Sequence, residues 1–350
     1  MRHVSAAGAP PGDRATDQAR NQTANPGVSR AGHPGANGPA DWAIETRGLR
    51  KSYGGRAVLD GLDLRVRRGG VFALLGQNGA GKTTTVRILT TLTRADAGRA
   101  RVAGFDVVAE RSRARRALSL TGQYAALDEE QTGEENLRMM ARLVGADRAT
   151  AAARATELLA RFDLREAAGR RVATYSGGMR RRLDIAAGLT GAPEVVFLDE
   201  PTTGLDPRGR RAMWRLVGGL AESGVTIFLT TQYLEEADQL ADHVALLDQG
   251  RLVAEGTPRE LKERVAGQRL DLTLSDPHAY RAVAERLGER AVFASPEELL
   301  LGVATDGGAA GVRALLDELD PGHRDIARFA VRGATLDDVF LELTQHGPAH

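Results

Sequence analysis

The sequence contains no cysteine. Disulfides and cysteine-rich zinc sites are therefore excluded, and a reducing compartment suits the chain. Lysine is nearly missing as well: Lys51, Lys82 and Lys262 are the only three among 47 basic residues. Neither sign of charge is in excess. The 47 basic and 46 acidic residues leave a formal net charge of +1, which argues against a dedicated nucleic-acid surface. No apolar run approaches the roughly 18 residues needed to span a bilayer. The start of the chain has no apolar stretch of the signal-peptide kind, so a cytoplasmic protein is expected. With 350 residues, 42% of them apolar, the chain is long enough for two domains with packed cores.

Residues 1–41 are rich in Gly, Ala, Pro, Asn and Ser and lack apolar periodicity, the composition of a disordered tail. From Trp42 the pattern changes. Segments 43–50 and 57–66 read as strands around Gly54-Gly55. Residues 112–170 read as mainly helical, with Thr132-Gly133-Glu134-Glu135 as a capping box. The short continuous apolar runs at 71–75, 195–198 and 225–229 read as buried parallel strands, and 243–247 and 251–254 as two further strands. Residues 42–265 are expected to form one domain and 266–346 a second. In the second, strands at 270–274, 291–294, 299–304 and 325–331 and helices at 277–287 and 309–319 alternate as βαββαβ, which predicts a small α+β ferredoxin-like unit. A final helix over 335–343 carries Leu336, Val339, Phe340 and Leu343 on one face. That stripe is expected to pack against its own chain, with a dimer contact as the alternative.

Gly76-Gln77-Asn78-Gly79-Ala80-Gly81-Lys82-Thr83 fits G-x-x-x-x-G-K-[ST], the P-loop pattern. A predicted strand precedes it and a helix (84–92) follows, the setting that the pattern requires. Glycines there let successive N–H groups converge on phosphate oxygens, and the helix N-terminus adds positive potential. Lys82 can reach β- and γ-phosphates, and the Thr83 hydroxyl can ligate Mg²⁺. Downstream, four apolar residues end in Asp199-Glu200, a Walker B pattern. Its strand would bring Asp199 to Mg²⁺ and place Glu200 to accept a proton from the attacking water. Between these two motifs, Tyr175-Ser176-Gly177-Gly178-Met179 opens a helix and makes a second anion-binding helix N-terminus.

With these three motifs in this order, the chain resembles the ATP-binding-cassette (ABC) superfamily. The resemblance implies an α/β P-loop NTPase fold with a RecA-like core, an antiparallel β-subdomain and a helical subdomain. Tyr53 resembles the A-loop aromatic that stacks on adenine. Gln123 resembles the Q-loop glutamine at Mg²⁺ and water. Gly204-Leu205-Asp206 resembles the D-loop that crosses the dimer interface. At the switch position, usually histidine, stands Gln232. It can hydrogen-bond a γ-phosphate but cannot become a cation near neutral pH, which gives Glu200 the greater weight. The implied ATP contacts are Tyr53, Gly76, Gln77, Asn78, Gly79, Ala80, Gly81, Lys82, Thr83, Thr84, Ser176, Gly177, Gly178 and Asp206. The implied Mg²⁺ ligands are Thr83, Gln123 and Asp199, and the catalytic residues Glu200, Gln123 and Gln232. The arginine clusters at 111–116 and 179–182 are expected on solvated helix faces, with Arg182 singled out as a phosphate-binding exception.

Segments 121–129, 175–186, 230–238 and 335–344 are similar to the daunorubicin/doxorubicin-resistance ATP-binding subunits, a branch that shares glutamine at the switch. The resemblance is strong over about 43–260 and looser beyond. It implies an ATPase that drives a drug or antibiotic exporter from the cytoplasmic face, through a separate ABC-2-type membrane permease. One P-loop and one signature per chain imply a head-to-tail homodimer sandwiching two ATP molecules, with no nucleic-acid partner. The alternatives are a cytosolic ABC ATPase acting on nucleic acid or ribosomes, and a nucleotide-gated regulatory module with feeble turnover.

Overall fold

The computed structural model describes residues 41–122, 127–264 and 268–345. Of the expected tail, all but Asp41 lies outside the described residues. Strands β1 (Trp42–Tyr53) and β2 (Arg56–Arg67) form a hairpin across Gly54-Gly55. Strand β3 (Val71–Leu75) feeds the phosphate-loop segment and helix α1 (Lys82–Leu89). Next come β4 (Ala97–Val102) and the two-residue β5 (Phe105–Asp106), which complete an antiparallel sheet of order β2-β1-β4-β5.

Helix α2 (Arg111–Ala117) leads into β6 (Leu118–Thr121), a strand inside the stretch that its composition presents as helical. Four residues of alternating Leu, Ser, Leu and Thr are too short to show a period of their own. Parallel pairing with the Walker B strand, from Leu118↔Val195 to Thr121↔Leu198, makes them a strand. Helices α3 (Gly133–Leu143), α4 (Arg148–Arg161) and α5 (Gly177–Gly188) form the helical part. The α3 start carries the expected capping box: Thr132 Oγ1 accepts from the Glu135 N–H, and the Glu135 carboxylate accepts from the Thr132 N–H at 2.8 Å.

The alternation resumes with β7 (Val195–Asp199), α6 (Pro207–Glu222), β8 (Thr226–Thr231), α7 (Leu234–Leu240), β9 (His243–Asp248), β10 (Arg251–Gly256) and α8 (Pro258–Arg264). The central sheet runs β10-β9-β3-β8-β7-β6, parallel except for β10. Every residue of β3, β7 and β8 is buried. A parallel strand covered on both faces needs an unbroken apolar run, and these strands have one. One face packs against the antiparallel sheet through Phe72, Phe197 and Phe228, with Phe72 and Phe228 stacked at 5.4 Å between centroids. The other face packs against the helices through Leu158, Phe162, Leu183 and Val217. Each fully buried phenylalanine removes apolar surface worth about 1.5–3 kcal/mol.

Beyond residue 267 the chain runs β11 (Gln268–Leu274), α9 (Pro277–Leu287), β12 (Ala291–Ser295), β13 (Leu300–Thr305), α10 (Ala309–Leu319) and β14 (Ile326–Arg332). Its sheet is antiparallel in the order β12-β13-β11-β14, and a core of its own gathers around Leu270, Leu272, Val283 and Leu319. Helix α11 (Leu336–Gln345) then returns to the ATPase core. Leu336, Val339 and Phe340 join Ala237 of α7 and Leu261 of α8 in one cluster, so the apolar stripe packs against its own chain. Phe340 is 9% exposed. Phe340→Ala should lower stability by about 3 kcal/mol, the lower end for emptying a phenylalanine site. A shift in the urea midpoint measures it, and an unmoved midpoint would mean that α11 is not docked.

Candidate functional site

The loop after β3 wraps onto the N-terminus of α1. Gly81 is the N-cap at φ 111°. A Cβ there would meet Leu59 Cδ2 at 2.7 Å and Val58 O at 2.8 Å, so both conformation and space demand glycine. Lys82 is 4% exposed and donates to Gly76 O at 2.6 Å and Gln77 O at 3.1 Å. Burial pushes its pKa down, while the charges of Glu200 and Asp199 pull it up. An ammonium held by two loop carbonyls is a cation that a phosphate oxygen can take over.

Strand β7 ends beside it. Asp199 is buried and its Oδ1 accepts from the Thr230 hydroxyl of β8. The Thr83 hydroxyl lies 3.5 Å from the same oxygen. Two oxygens on adjacent corners of a Mg²⁺ octahedron sit about 3 Å apart. Thr83 and Asp199 therefore fit that ion, and together with the loop and Lys82 they fit a Mg²⁺–nucleotide. Gln123, expected as a further Mg²⁺ ligand and catalytic residue, lies outside the described residues. Glu200 takes a left-handed backbone, φ 49°, uncommon for a residue with a side chain. Its N–H donates to Thr230 O at 3.0 Å, its Oε2 accepts from the Thr203 hydroxyl at 3.2 Å, and its Oε1 is 3.9 Å from Lys82 Nζ. This backbone strain, held by specific bonds, aims the carboxylate at the loop. Gln232 follows β8 and lines a recess with Gly76, Gln77, Asn78 and Phe340. The structure thus brings Gly76 to Thr83, Asp199, Glu200 and Gln232 together.

Of the other expected contacts, all but Thr84 lie on other elements. Tyr53 is 48% exposed at the end of β1, its ring 5.2 Å from Lys51 Nζ. Thr84 sits in the first turn of α1. Asp206 caps α6 by accepting from the Gly209 N–H at 2.9 Å. Ser176 caps α5, accepting from the Met179 N–H at 3.3 Å. Ser176 and Gly177 are exposed, and a Cβ at Gly177 or Gly178 would meet no atom within 4 Å. Packing within one chain therefore gives no reason for glycine at 177 and 178.

Arg182 does not behave as a free phosphate ligand. It donates to Phe162 O at 3.0 Å and Asp163 O at 3.1 Å, tying α5 to the end of α4. Arg111, Arg113, Arg115 and Arg116 are all exposed, as expected of a solvated face, and Arg111 and Arg115 in addition bind Thr91. Two residues central to the site had no role assigned from sequence. Thr230 supports both Asp199 and Glu200. Arg181 donates to Asp199 O at 3.0 Å, to Pro201 O at 3.2 Å and to Gly122 O. Its helical spacing from Gly177 and buried Asp184 was the available signal.

Residues 59–203 match the family model of the ABC transporters. The daunorubicin/doxorubicin resistance ATP-binding protein DrrA of Streptomyces peucetius is 50% identical over 308 residues, which covers 87% of this chain and 93% of that protein. The doxorubicin resistance ATP-binding protein DrrA of Mycobacterium tuberculosis is 47% identical over 315 residues, covering 87% and 94%. A Nod factor export ATP-binding protein I of Ralstonia nicotianae is 41% identical over 302 residues, covering 86% and 93%. Among solved structures, an ATP-binding subunit of an ABC transporter superposes with a TM-score of 0.57 at 30% identity, covering 63% of this chain and 92% of that one. With this likeness running through phosphate loop, Walker B strand and signature helix alike, the chain is an ABC ATPase and belongs to the ABC transporter family, among the daunorubicin/doxorubicin resistance ATP-binding proteins.

Proposed function

We propose that the chain is the ATP-hydrolysing subunit of an exporter of drug-like, amphipathic compounds. It works as a head-to-tail homodimer on a separate membrane permease of the ABC-2 type. The observation that carries this reading is the open signature turn. Ser176, Gly177 and Gly178 sit at a helix N-terminus whose glycines answer no demand of their own chain. A partner's γ-phosphate seated there would use their N–H groups and require their small size.

In that arrangement the N–H groups of Gly79 to Thr83 and the Lys82 ammonium hold the phosphates, and Tyr53 stacks on adenine. Thr83, Asp199 and Gln123 are the ligands proposed for Mg²⁺, which neutralises phosphate charge when bound. Glu200 takes the proton of the attacking water, and Gln232 and Gln123 orient the reacting groups. Asp206 belongs to the loop that meets the second copy. Loss of the γ-phosphate removes the contact to Ser176 and lets the copies part.

Among the described residues no helix is long and apolar enough to cross a membrane. Transport therefore rests on another protein, and the subunit would sit at the inner face of the membrane through it. The drug class is supported by the names of the relatives, two for daunorubicin or doxorubicin resistance and one for Nod factor export. Residues 266–346 are proposed as a regulatory unit, since α11 sets Phe340 beside the phosphate loop.

Ser176→Arg tests the sandwich. Placed in a Glu200→Gln background, it should abolish the ATP-dependent rise in mass seen by light scattering. A normal rise would refute the shared site.

A further inference from the structure

A second recess lies at the far end of the helix that starts at the phosphate loop. It is bounded by the C-terminal end of α1, by β1 and β4 of the antiparallel sheet, and by the turn from β5 into α2, with a volume of 410 Å³. Small-molecule sites span about 300–1,000 Å³. The floor is apolar, since Leu49 and Ile88 are buried there together with Ala100 and Val107. Two large apolar side chains stand at the mouth, Leu92 at 55% and Val108 at 54% exposed. One exposed apolar residue needs no explanation. Two that flank the same recess carry its apolar wall outward.

Its charges are one-sided. Arg94, Arg99 and Arg111 line the recess against a single carboxylate, Asp106. Asp106 Oδ1 is already committed to the N–H groups of Val108 and Ala109, at 2.9 Å each. Among the described residues, neither Arg94 nor Arg99 has a carboxylate within ion-pair distance, and Arg99 acts on Asp106 only at longer range. Arg111 directs Nε and Nη2 to Thr91, whose carbonyl accepts at 2.9 Å, and Arg115 donates to the Thr91 hydroxyl at 2.7 Å. These bonds hold Thr91 at φ 65°, an outlier for a β-branched residue. Backbone strain held by its surroundings in this way clusters at ligand sites.

We infer that this recess binds one amphipathic anion. An acyl chain or similar apolar body lies on the floor of Leu49 and Ile88, and a carboxylate or phosphate meets the guanidiniums of Arg94, Arg99 and Arg111. Guanidinium forks match both anions, and the bonds are charge-assisted. A neutral amphiphile would leave the cations without a counter-charge. A bare inorganic anion would leave the apolar floor in water. Only a ligand with both parts answers the whole lining. Two sources supply that chemistry, a free fatty acid and an acidic lipid of the membrane. The site shares no residue with the proposed nucleotide contacts and stands apart from the ATPase reading.

Calorimetry on the full-length protein with monomeric decanoate tests the inference. Decanoate should bind saturably, one per chain, and acetate and decanol should each bind at least about tenfold more weakly, the loss expected when one of the two parts is missing. Arg94→Gln combined with Arg99→Gln should weaken decanoate by about tenfold or more, the loss of one charge-assisted bond. Ala95→Phe fills the recess from its half-buried wall and should abolish binding. Both variants should keep the parent's ATP affinity within about twofold, because separate sites behave independently; that result distinguishes a lost site from a damaged fold. Flotation with phosphatidylcholine vesicles, with and without phosphatidylglycerol, separates the sources. Flotation that needs phosphatidylglycerol and disappears in Ala95→Phe assigns the site to a membrane lipid, and decanoate binding without that pattern assigns it to a free fatty acid. No saturable decanoate binding, equal binding of acetate or decanol, or full decanoate binding in both variants would overturn the inference.

Discussion

ATP turnover by Glu200→Gln should fall about 10²–10⁴-fold, the range for losing a general base, while nucleotide binding is retained. The substitution is nearly isosteric. The Thr203 hydroxyl that donates to Oε2 at 3.2 Å can still donate to an amide oxygen. The left-handed backbone at φ 49°, fixed by the N–H bond to Thr230 O, does not depend on the side chain. What disappears is the ability to accept a proton from water. A negative charge 3.9 Å from the Lys82 ammonium goes with it, and a carboxylate there competes with phosphate for that cation. ATP affinity should therefore hold or rise, and the ATP-bound dimer should persist for hours. Single-turnover hydrolysis with radiolabelled ATP reads the first effect and light scattering the second. Undiminished turnover would remove Glu200 from the reaction. Turnover and affinity falling together would point to a damaged fold.

The site was legible where its chemistry is contiguous in sequence. The phosphate loop needs its glycines, Lys82 and Thr83 at fixed spacing between a strand and a helix, and the Walker B strand needs apolar residues ending in Asp199-Glu200. Both constraints are local, so both can be read from the chain. What stayed hidden depends on neighbours distant in sequence. Strand β6 is a strand because Leu118 to Thr121 lie along β7; without β7 they are four residues behind an arginine-rich helix. Arg180, Arg181 and Arg182 look alike in sequence, yet they bind Glu129, the carbonyls around Asp199, and the end of α4, respectively. Only the rotation of α5 against the sheet separates them. Glu235 and Glu236 are adjacent, one exposed and one buried, and the packing of α7 on the central strands β3 and β8 decides which is which. The docking of α11 belongs to the same class. Its apolar face was plain at 336, 339, 340 and 343, but its partners lie about 75 to 100 residues earlier, in α7 and α8.

Lys82→Met should weaken ATP binding by roughly 10²-fold or more. A charge-assisted hydrogen bond contributes about 1.5–3 kcal/mol, and each 1.4 kcal/mol is a factor of about ten in affinity. Two such bonds to β- and γ-phosphate oxygens would account for the loss. The fold itself should not suffer. Lys82 is 4% exposed, and burial pushes its pKa down. A buried ammonium is under stress that two carbonyl bonds, to Gly76 and Gln77, only partly relieve. Methionine keeps the length of the stem without the charge. The melting temperature without nucleotide should stay level or rise, while the stabilisation gained on adding Mg²⁺–ATP should vanish. The opposite signs of these two changes make the experiment decisive. A residue kept for packing would lower stability when replaced and leave affinity alone. A residue kept for phosphate destabilises its own apo state and is worth retaining only because of the anion it meets. Unchanged ATP affinity by calorimetry would contradict the phosphate-loop assignment, and the roles of Thr83, Asp199 and Glu200 around the bound nucleotide would fall with it.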